Sequence, residues 1–298
     1  MVIQLFLNDS EYKGKPYKYM FHVKKMSVED FAFAVHLSDT MNWNLVEEDF
    51  AFAMKLEPDG CFVLLYDSEE IGMATTISFG QVGWLGNVIV SESHRGRGGG
   101  SRLVEHSIKY LKNKGVKTIG LYGYLERIPF YKTHNFVYDS EFIVLKGEGF
   151  SAPTKAYLKE AEKEDIPEIV DFDRLCFGAS RRKLLEPIIH DTDNLCYVLR
   201  EGELMLGFAV AKVYDEAAEI GPLVCRQGCS DGAIDLLKVI FNRLKGFEVS
   251  MCIAEKEFVI INTLKRYEFR ENFHLARMFH GTPIINDNIY IAESLERG

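Results

Sequence analysis

The fold of this chain is decided by residues 88–103, which read Val88-Ile89-Val90-Ser91-Glu92-Ser93-His94-Arg95-Gly96-Arg97-Gly98-Gly99-Gly100-Ser101-Arg102-Leu103. An apolar run of strand type leads into a glycine-dense turn, and the turn opens a helix. Glycines let the backbone approach an anion closely, and the unpaired N–H groups of a helix N-terminus hold phosphate oxygens. Three arginines add positive charge here. The stretch predicts a phosphate-binding loop, and the alternative is a flexible basic loop whose glycines are accidental.

The elements around this loop follow a regular order. Residues 24–37 predict a strand and then a helix that Ser27 caps. The further predicted elements are a hairpin of Cys61–Tyr66 and Ile71–Ile77, a strand Trp84–Val90, a helix from Gly99 to Asn113, and a strand Thr118–Tyr122. Strands and helices therefore mix within one domain, which indicates an α/β (α+β) fold.

Two motifs identify the family that this order resembles. The chain has no G-x-x-x-x-G-K-[ST] and no G-x-G-x-x-G, which argues against a P-loop or a dinucleotide site. Residues 95–100, Arg-Gly-Arg-Gly-Gly-Gly, instead resemble the R/Q-x-x-G-x-G/A motif of the GNAT superfamily of N-acetyltransferases. Residues 129–136 resemble its aliphatic-Tyr-x-x-x-Gly-Phe segment, with Asn135 in the glycine position. Asparagine tolerates left-handed backbone, so this departure is mild.

The resemblance covers residues 20–146 and implies roles for individual residues. The cosubstrate would be acetyl-CoA, and Tyr131 would be the general acid that protonates the departing CoA thiolate. The alternative for Tyr131 is a side chain that only packs on a short helix. The implied cosubstrate-binding residues are Val88, Ile89 and Val90, through backbone groups to the pantetheine arm, and Arg95, Gly96, Arg97, Gly98, Gly99, Gly100 and Ser101, around the pyrophosphate.

The general base and the acceptor site are less defined by the motifs. Some relatives carry a glutamate on the fourth strand where this chain has Trp84, and no carboxylate lies between Gln81 and Ser91. Either water relays the proton, or an acidic residue from another segment takes it. The candidates are Glu47, Glu48 and Asp49, which a solvated helix start explains equally well. Trp43, Glu47 and Trp84 are the predicted acceptor-binding residues. Tyr124 and Arg127 differ from the asparagine and small residue common in the family.

The chain is long enough for two domains, and its second half repeats the first. Lys146–Thr154 is rich in Gly, Ser and Pro, which places the boundary between residues 1–148 and 149–298. The second half resembles the C-terminal domain of tandem GNAT proteins, so each domain should hold a mixed, mostly antiparallel sheet flanked by helices. Residues 225–233 lack the R-x-x-G-x-G spacing, and Leu264 takes the place of Tyr131. We therefore expect a degenerate second domain with a structural or substrate-shaping role, in which His274 and His280 are solvated or packed.

Composition narrows the class of partner. The net charge is −9 and neither half is basic, which argues against nucleic-acid binding. No secretory signal and no membrane-spanning apolar run occur, so a cytoplasmic protein without a membrane role is expected. The six cysteines are scattered apart from Cys225 and Cys229, and no metal site is predicted.

The predicted function is transfer of acetyl from acetyl-CoA to a primary amine of a small molecule, amino acid or peptide by direct attack on the thioester. One alternative is a non-catalytic acetyl-CoA sensor or assembly module, and another is an acyltransferase for a longer acyl-CoA. Retention of Tyr131 favours an enzyme, because a sensor has no use for a positioned acid. The expected assembly is a monomer or a homodimer.

Overall fold

The two halves of the chain repeat one order of strands and helices, as predicted. The computed structural model describes residues 21–154, 158–284 and 288–298. The first half contains β1 (Phe21–Lys25), α1 (Phe31–Asp39), α2 (Glu47–Leu56), β2 (Cys61–Tyr66), β3 (Glu69–Ser78), β4 (Val82–Val90), α3 (Gly99–Asn113), β5 (Thr118–Tyr124), α4 (Ile128–Thr133) and β6 (Phe136–Glu148). The second half contains β7 (Lys159–Glu160), α5 (Ile166–Phe177), α6 (Arg182–His190), β8 (Leu195–Glu201), β9 (Leu204–Val213), β10 (Ala217–Cys225), α7 (Ser230–Arg243), β11 (Glu248–Ala254), α8 (Phe258–Arg266), β12 (Arg270–His280) and β13 (Ile289–Ile291).

All described strands join one sheet, and the two halves exchange strands within it. The order is β1-β2-β3-β4-β5-β12-β6-β11-β13-β10-β9-β8-β7. Strand β12 of the second half therefore lies between β5 and β6 of the first, antiparallel to both. Strand β6 pairs on its other side with β11, from Glu248 opposite Glu148 to Ala254 opposite Phe142. The sheet is mostly antiparallel, and the fold class predicted from the sequence is confirmed.

This exchange changes the interpretation of the segment that reads as a linker. Lys146, Gly147 and Glu148 are the last residues of β6 and pair with Ser250, Val249 and Glu248 of β11. Glycine in this segment is typical of a turn, but the ladder places Gly147 within a strand. The chain between β6 and β7 begins only after residue 148.

A parallel strand pair in each half forms the groove typical of this fold, and the two grooves differ. In the first half β4 and β5 pair from Val82 opposite Thr118 to Trp84 opposite Gly120, and they no longer pair beyond these residues. Asn87, which follows on β4, has φ 51° and sits at a register shift against β3. In the second half β13 inserts where β10 and β11 diverge. Within the described residues no strand fills the first groove, whereas the second contains a strand of its own chain.

The two faces of the first-half sheet are covered by different helices. Helix α3 packs on one face, where Leu103 and Val104 contact Leu85 of β4 within one buried cluster. Helices α1 and α2 pack on the opposite face, with Phe50 against Ile89. Because side chains alternate along a strand, each residue of β4 and β5 is assigned to one face by its neighbours. The groove between β4 and β5 joins the two faces.

Candidate active site

The turn from β4 to α3 has the geometry of an anion cradle. Gly96 and Gly98 have φ of 75° and 91°, the left-handed region that side chains other than glycine rarely adopt. The first helical bond runs from Arg102 N to the carbonyl of Gly98. Within residues 21–154, 158–284 and 288–298, no acceptor contacts the backbone N–H groups from Gly96 to Ser101. These donors lie at the helix N-terminus, where the helix dipole favours an anion.

The arginines of the loop complement these donors. The Nε atom of Arg102 is buried and has no hydrogen-bond partner in the described chain. A buried donor without an acceptor costs free energy, so its state is explained if a ligand supplies the acceptor. Arg95 donates from Nε to the carbonyl of Val90 at 2.9 Å, which fixes the loop to the end of β4. Arg97 is exposed. The residues at this turn fit a diphosphate group.

Two predicted cosubstrate residues carry internal hydrogen bonds. The Val90 carbonyl accepts the bond from Arg95, so this part of β4 already has one donor. The Ser101 hydroxyl lies 3.1 Å from Nε2 of His134, which follows α4. The turn of α3 is thereby connected to the helix that carries Tyr131. Asn135, next in the chain, has φ 62°, the left-handed conformation expected for a residue in the glycine position.

Tyr131 lies on the α3 face of the groove and is protonated over a wide pH range. Its residue is 8% exposed, and its ring packs between Phe130 and Phe136 at 5.1 and 5.8 Å. A Cβ atom on Gly123 of β5 would lie 2.8 Å from this ring, so the ring contacts the β5 backbone. Burial raises the pKa of the Tyr131 hydroxyl to about 12. A phenol with that pKa is a proton donor at neutral pH.

The three predicted acceptor-binding residues lie on the opposite side of the sheet and do not meet at one point. Trp43 is half-buried in the loop between α1 and α2, and its Nε1 donates to the Tyr124 hydroxyl at 3.1 Å. Glu47 is the exposed first residue of α2. Trp84 is 2% exposed and packs against Phe177 of the second half. The structure brings Trp43 to the end of β5, while Trp84 lies within the core between the halves.

The candidate bases Glu47, Glu48 and Asp49 form the first turn of α2. Asp49 accepts from the backbone N–H of Val46 at 2.9 Å, as an N-terminal capping residue does. Burial raises the pKa of Asp49, and the nearby Glu296 carboxylate raises it further. Glu47 and Glu48 are exposed. Asp49 is thus the carboxylate of this group that lies close to the second half.

A segment that the sequence analysis did not single out covers β4 on the same side. A Cβ atom on Gly86 would lie 2.5 Å from Glu296 Cβ and 2.6 Å from its Cα, so the backbone of residue 296 crosses β4 at this glycine. The carbonyl of Gly298 accepts from Nη1 of Arg181, which is fully buried and paired with Asp173 at 2.6 Å. The signal in the sequence is a glycine within an apolar strand, which marks close backbone approach.

In the corresponding loop of the second half, three backbone donors are satisfied by residues that lie in its groove. Cys225 N donates to the Asn288 carbonyl at 2.9 Å, and Gln227 N donates to the Asn288 side-chain oxygen at 3.0 Å. Cys229 N donates to the Tyr290 hydroxyl at 3.3 Å. The segment that contains β13 therefore fills the groove and also accepts hydrogen bonds from the loop. Leu264, in the place of Tyr131, is buried on α8.

The two histidines flagged by the sequence differ in surroundings. Nδ1 of His274 lies 2.5 Å from Glu141 Oε1 and its Nε2 lies 3.3 Å from Glu271, and the bond to Glu141 contributes most to raising the pKa of His274. His280 packs edge-on against Phe136 at 5.6 Å, and burial lowers its pKa.

Across the part of the chain that the structure describes, no cluster of three His, Cys, Asp or Glu side chains is placed to hold a metal ion. No helix in that same part is long and apolar enough to cross a membrane.

Comparisons with known proteins assign both halves to one family. A family model described as Acetyltransferase (GNAT) family matches residues 26–136, and one described as Acetyltransferase (GNAT) domain matches residues 169–291. A holothin acyltransferase from Pseudoalteromonas sp. (strain SANK 73390) is 23% identical over 265 residues, which cover 87% of each chain.

Solved structures share the whole architecture. A proposed acetyltransferase from Pyrococcus horikoshii aligns with a TM-score of 0.78 at 21% identity, over 97% of this chain and 100% of that chain. A tandem GNAT protein from the clavulanic acid biosynthesis pathway aligns with a TM-score of 0.60 at 12% identity, over 89% and 100%. At these identities the likeness is one of fold. Together with the two family models and the motifs of the phosphate loop, it places this chain in the GNAT superfamily of acyltransferases, with two GNAT domains in tandem.

Proposed function

We propose that this protein transfers an acetyl group from acetyl-CoA to a primary amine, and that only the first half binds the cosubstrate. The observation that carries the proposal is the contrast between the two grooves. In the described part of the chain no strand inserts between β4 and β5, and no acceptor contacts the loop N–H groups from Gly96 to Ser101. The second groove contains β13, and Tyr290 of this strand and Asn288 just before it already accept from the loop. An acyl-CoA would have to displace a strand of the chain to bind there.

The proposed chemistry uses the two faces of the first groove. The loop after β4 holds the pyrophosphate, and the diverging strands β4 and β5 hold the pantetheine arm on the α3 face. The neutral amine reaches the thioester carbonyl carbon from the opposite face, a C–N bond forms, and the C–S bond breaks. The sulfur takes the Tyr131 proton, and the nitrogen gives one proton to water or to an acidic residue of another segment as the amide forms. A proton from solvent then restores the Tyr131 hydroxyl. Tyr131 is buried enough to stay protonated until this step.

We favour an enzyme over a sensor because a sensor has no use for the hydroxyl that Tyr131 places here. A binding module would need the loop but not a buried hydroxyl beside the groove. The acetyl group is the proposed donor group, and a longer acyl group is the alternative, since one relative is named an acyltransferase. We also propose that the acceptor amine belongs to a small molecule, an amino acid or a peptide. The protein would act in the cytoplasm as a monomer or a homodimer.

The test combines calorimetry with a turnover assay. Titration with acetyl-CoA is expected to show one site per chain, and a panel of primary amines is expected to release CoA thiol from it. Two equivalent sites per chain would contradict the assignment to the first half. One site without thiol release from any amine would instead support the sensor.

A further inference from the structure

Two aromatic side chains are hydrogen-bonded to each other on the acceptor side of the sheet. The Trp43 indole donates to the Tyr124 hydroxyl at 3.1 Å, and this bond connects the α1–α2 loop to the end of β5. Asn42 and Asn44, on either side of Trp43, have φ of 55° and 54°. Left-handed backbone costs free energy in residues other than glycine and persists where the surroundings impose it. The loop is therefore shaped so that the half-buried indole lies beside Tyr124.

The second half adds a third aromatic ring to this pair. The ring of Phe273, on the exchanged strand β12, lies 5.6 Å from the ring of Tyr124 with a 56° tilt. Leu295, from the segment after β13, packs in the same apolar cluster as both rings. Phe273 and Tyr124 are each half-buried. The aromatic faces remain partly accessible at the point where β4 and β5 have separated.

The segment after β13 also carries a carboxylate on this side of the sheet. The backbone of Glu296 crosses β4 at Gly86, one residue before the left-handed Asn87. Its side chain is 20% exposed and pairs with Nη1 of Arg297 at 2.7 Å. Glu296 also interacts electrostatically with Asp49 at the start of α2. The Glu296 carboxylate, paired with Arg297, thus belongs to the residue that directly follows Leu295 of the apolar cluster, on the acceptor side of the groove.

We infer that this face binds a primary ammonium attached to a planar, apolar group, and that the second half completes the site. The planar group packs against Trp43, Tyr124 and Phe273, since aromatic rings prefer stacked or edge-on partners. The ammonium is bound by the Glu296 carboxylate, because a charge-assisted hydrogen bond is the strongest polar contact available to it. The inference rests on the proposed function, since it describes the acceptor of that reaction. It assigns the second half a part in substrate recognition.

The probes are three primary amines: phenethylamine, 2-cyclohexylethylamine and phenylalanine. The second has the same charge but no planar ring, and the third adds a carboxylate that Glu296 would repel. With acetyl-CoA as donor, phenethylamine is expected to have a kcat/KM about tenfold above either of the others. Phe273→Leu is expected to raise its KM about fivefold, and Glu296→Gln about tenfold, with the dissociation constant for acetyl-CoA unchanged. The matched controls Phe258→Leu and Glu203→Gln alter exposed residues and should leave the KM unchanged.

A second readout does not depend on turnover. The chain contains two tryptophans, and phenethylamine itself does not emit in their range, so binding beside Trp43 should change the protein fluorescence. The change should be absent in Trp43→Phe and weakened in Glu296→Gln. If acetyl-CoA binds but phenethylamine is no better than 2-cyclohexylethylamine, or the Phe273 and Glu296 variants keep the wild-type KM, the inference is overturned while the proposed function stands. If acetyl-CoA fails to bind, the proposed function falls, and the fluorescence titration still decides whether this face binds the amine.

Discussion

Replacement of Gly98 by valine tests the phosphate loop through the backbone alone. Gly98 has φ 91° and ψ 0°, and a Cβ atom built on it would meet nothing within 4 Å. Valine would therefore not collide with a neighbour, and its cost would be the strain of a left-handed backbone, about 1–3 kcal/mol. The free loop can shift to relieve this strain. Bound pyrophosphate requires the N–H directions of the original loop, so the strain returns on binding.

The expected result follows from this cost. Because 1.4 kcal/mol corresponds to a factor of ten, the dissociation constant for acetyl-CoA should rise about 5- to 150-fold. Isothermal titration calorimetry measures it directly, and circular dichroism checks that the protein is folded.

A matched control exists at Gly80. This glycine has φ 85°, is exposed between β3 and β4, and likewise has no atom within 4 Å of a built Cβ. Gly80→Val should cost similar strain and lower the free energy of unfolding, but it should leave the affinity for acetyl-CoA unchanged. If Gly98→Val binds acetyl-CoA as tightly as the wild type, the loop is not the cradle. If both variants weaken binding equally, the effect reports general destabilisation.

Three further predictions concern the acid, the strand exchange and a buried carboxylate. Tyr131→Phe should keep the acetyl-CoA affinity and lower turnover roughly 10²–10⁴-fold. The lower end of this range is expected, because a thiol with a pKa of about 8.5 is a fair leaving group. Equal turnover in the thiol-release assay would remove Tyr131 from the mechanism. Residues 1–148 alone should lack a cooperative unfolding transition, because β5 and β6 each lose the β12 ladder between them; a fragment with native-like circular dichroism and cooperative melting would contradict this. Burial acts to raise the pKa of Glu57, but hydrogen bonds from Lys183 and Tyr110 outweigh it and lower the pKa to about 2. Its contribution to the free energy of unfolding, about 3 kcal/mol from this shift, is therefore complete above its unfolded value near 4.5 and is lost as the pH falls from there to 2. Glu57→Gln should be less stable than the wild type at pH 7, and chemical denaturation should show the two converging near pH 2; a constant difference between the proteins across that range would refute the shift.

The sequence by itself determined the features that depend on neighbours along the chain. A glycine-dense turn between an apolar strand and a helix has few other uses, so the loop at Gly96–Ser101 and the start of α3 were predictable from spacing. The left-handed conformation of Asn135 followed from its place in the Tyr131 motif. The repeated order of elements gave the tandem architecture for the same reason. Each of these depends on backbone conformations that a few adjacent residues impose.

Only the tertiary structure decided which strands are neighbours and what covers each groove. The apolar residues of β12 fit more than one pair of neighbours, so they could not reveal that this strand lies between β5 and β6. Likewise, a three-residue strand such as β13 carries too little pattern to show that it fills the second groove. Trp84 was placed correctly on β4, but its burial depends on Phe177, which is far away in sequence. Glu296 reaches the acceptor side because the chain after β13 returns to Gly86, and such long-range approach is set by packing of the whole sheet and not by any local preference.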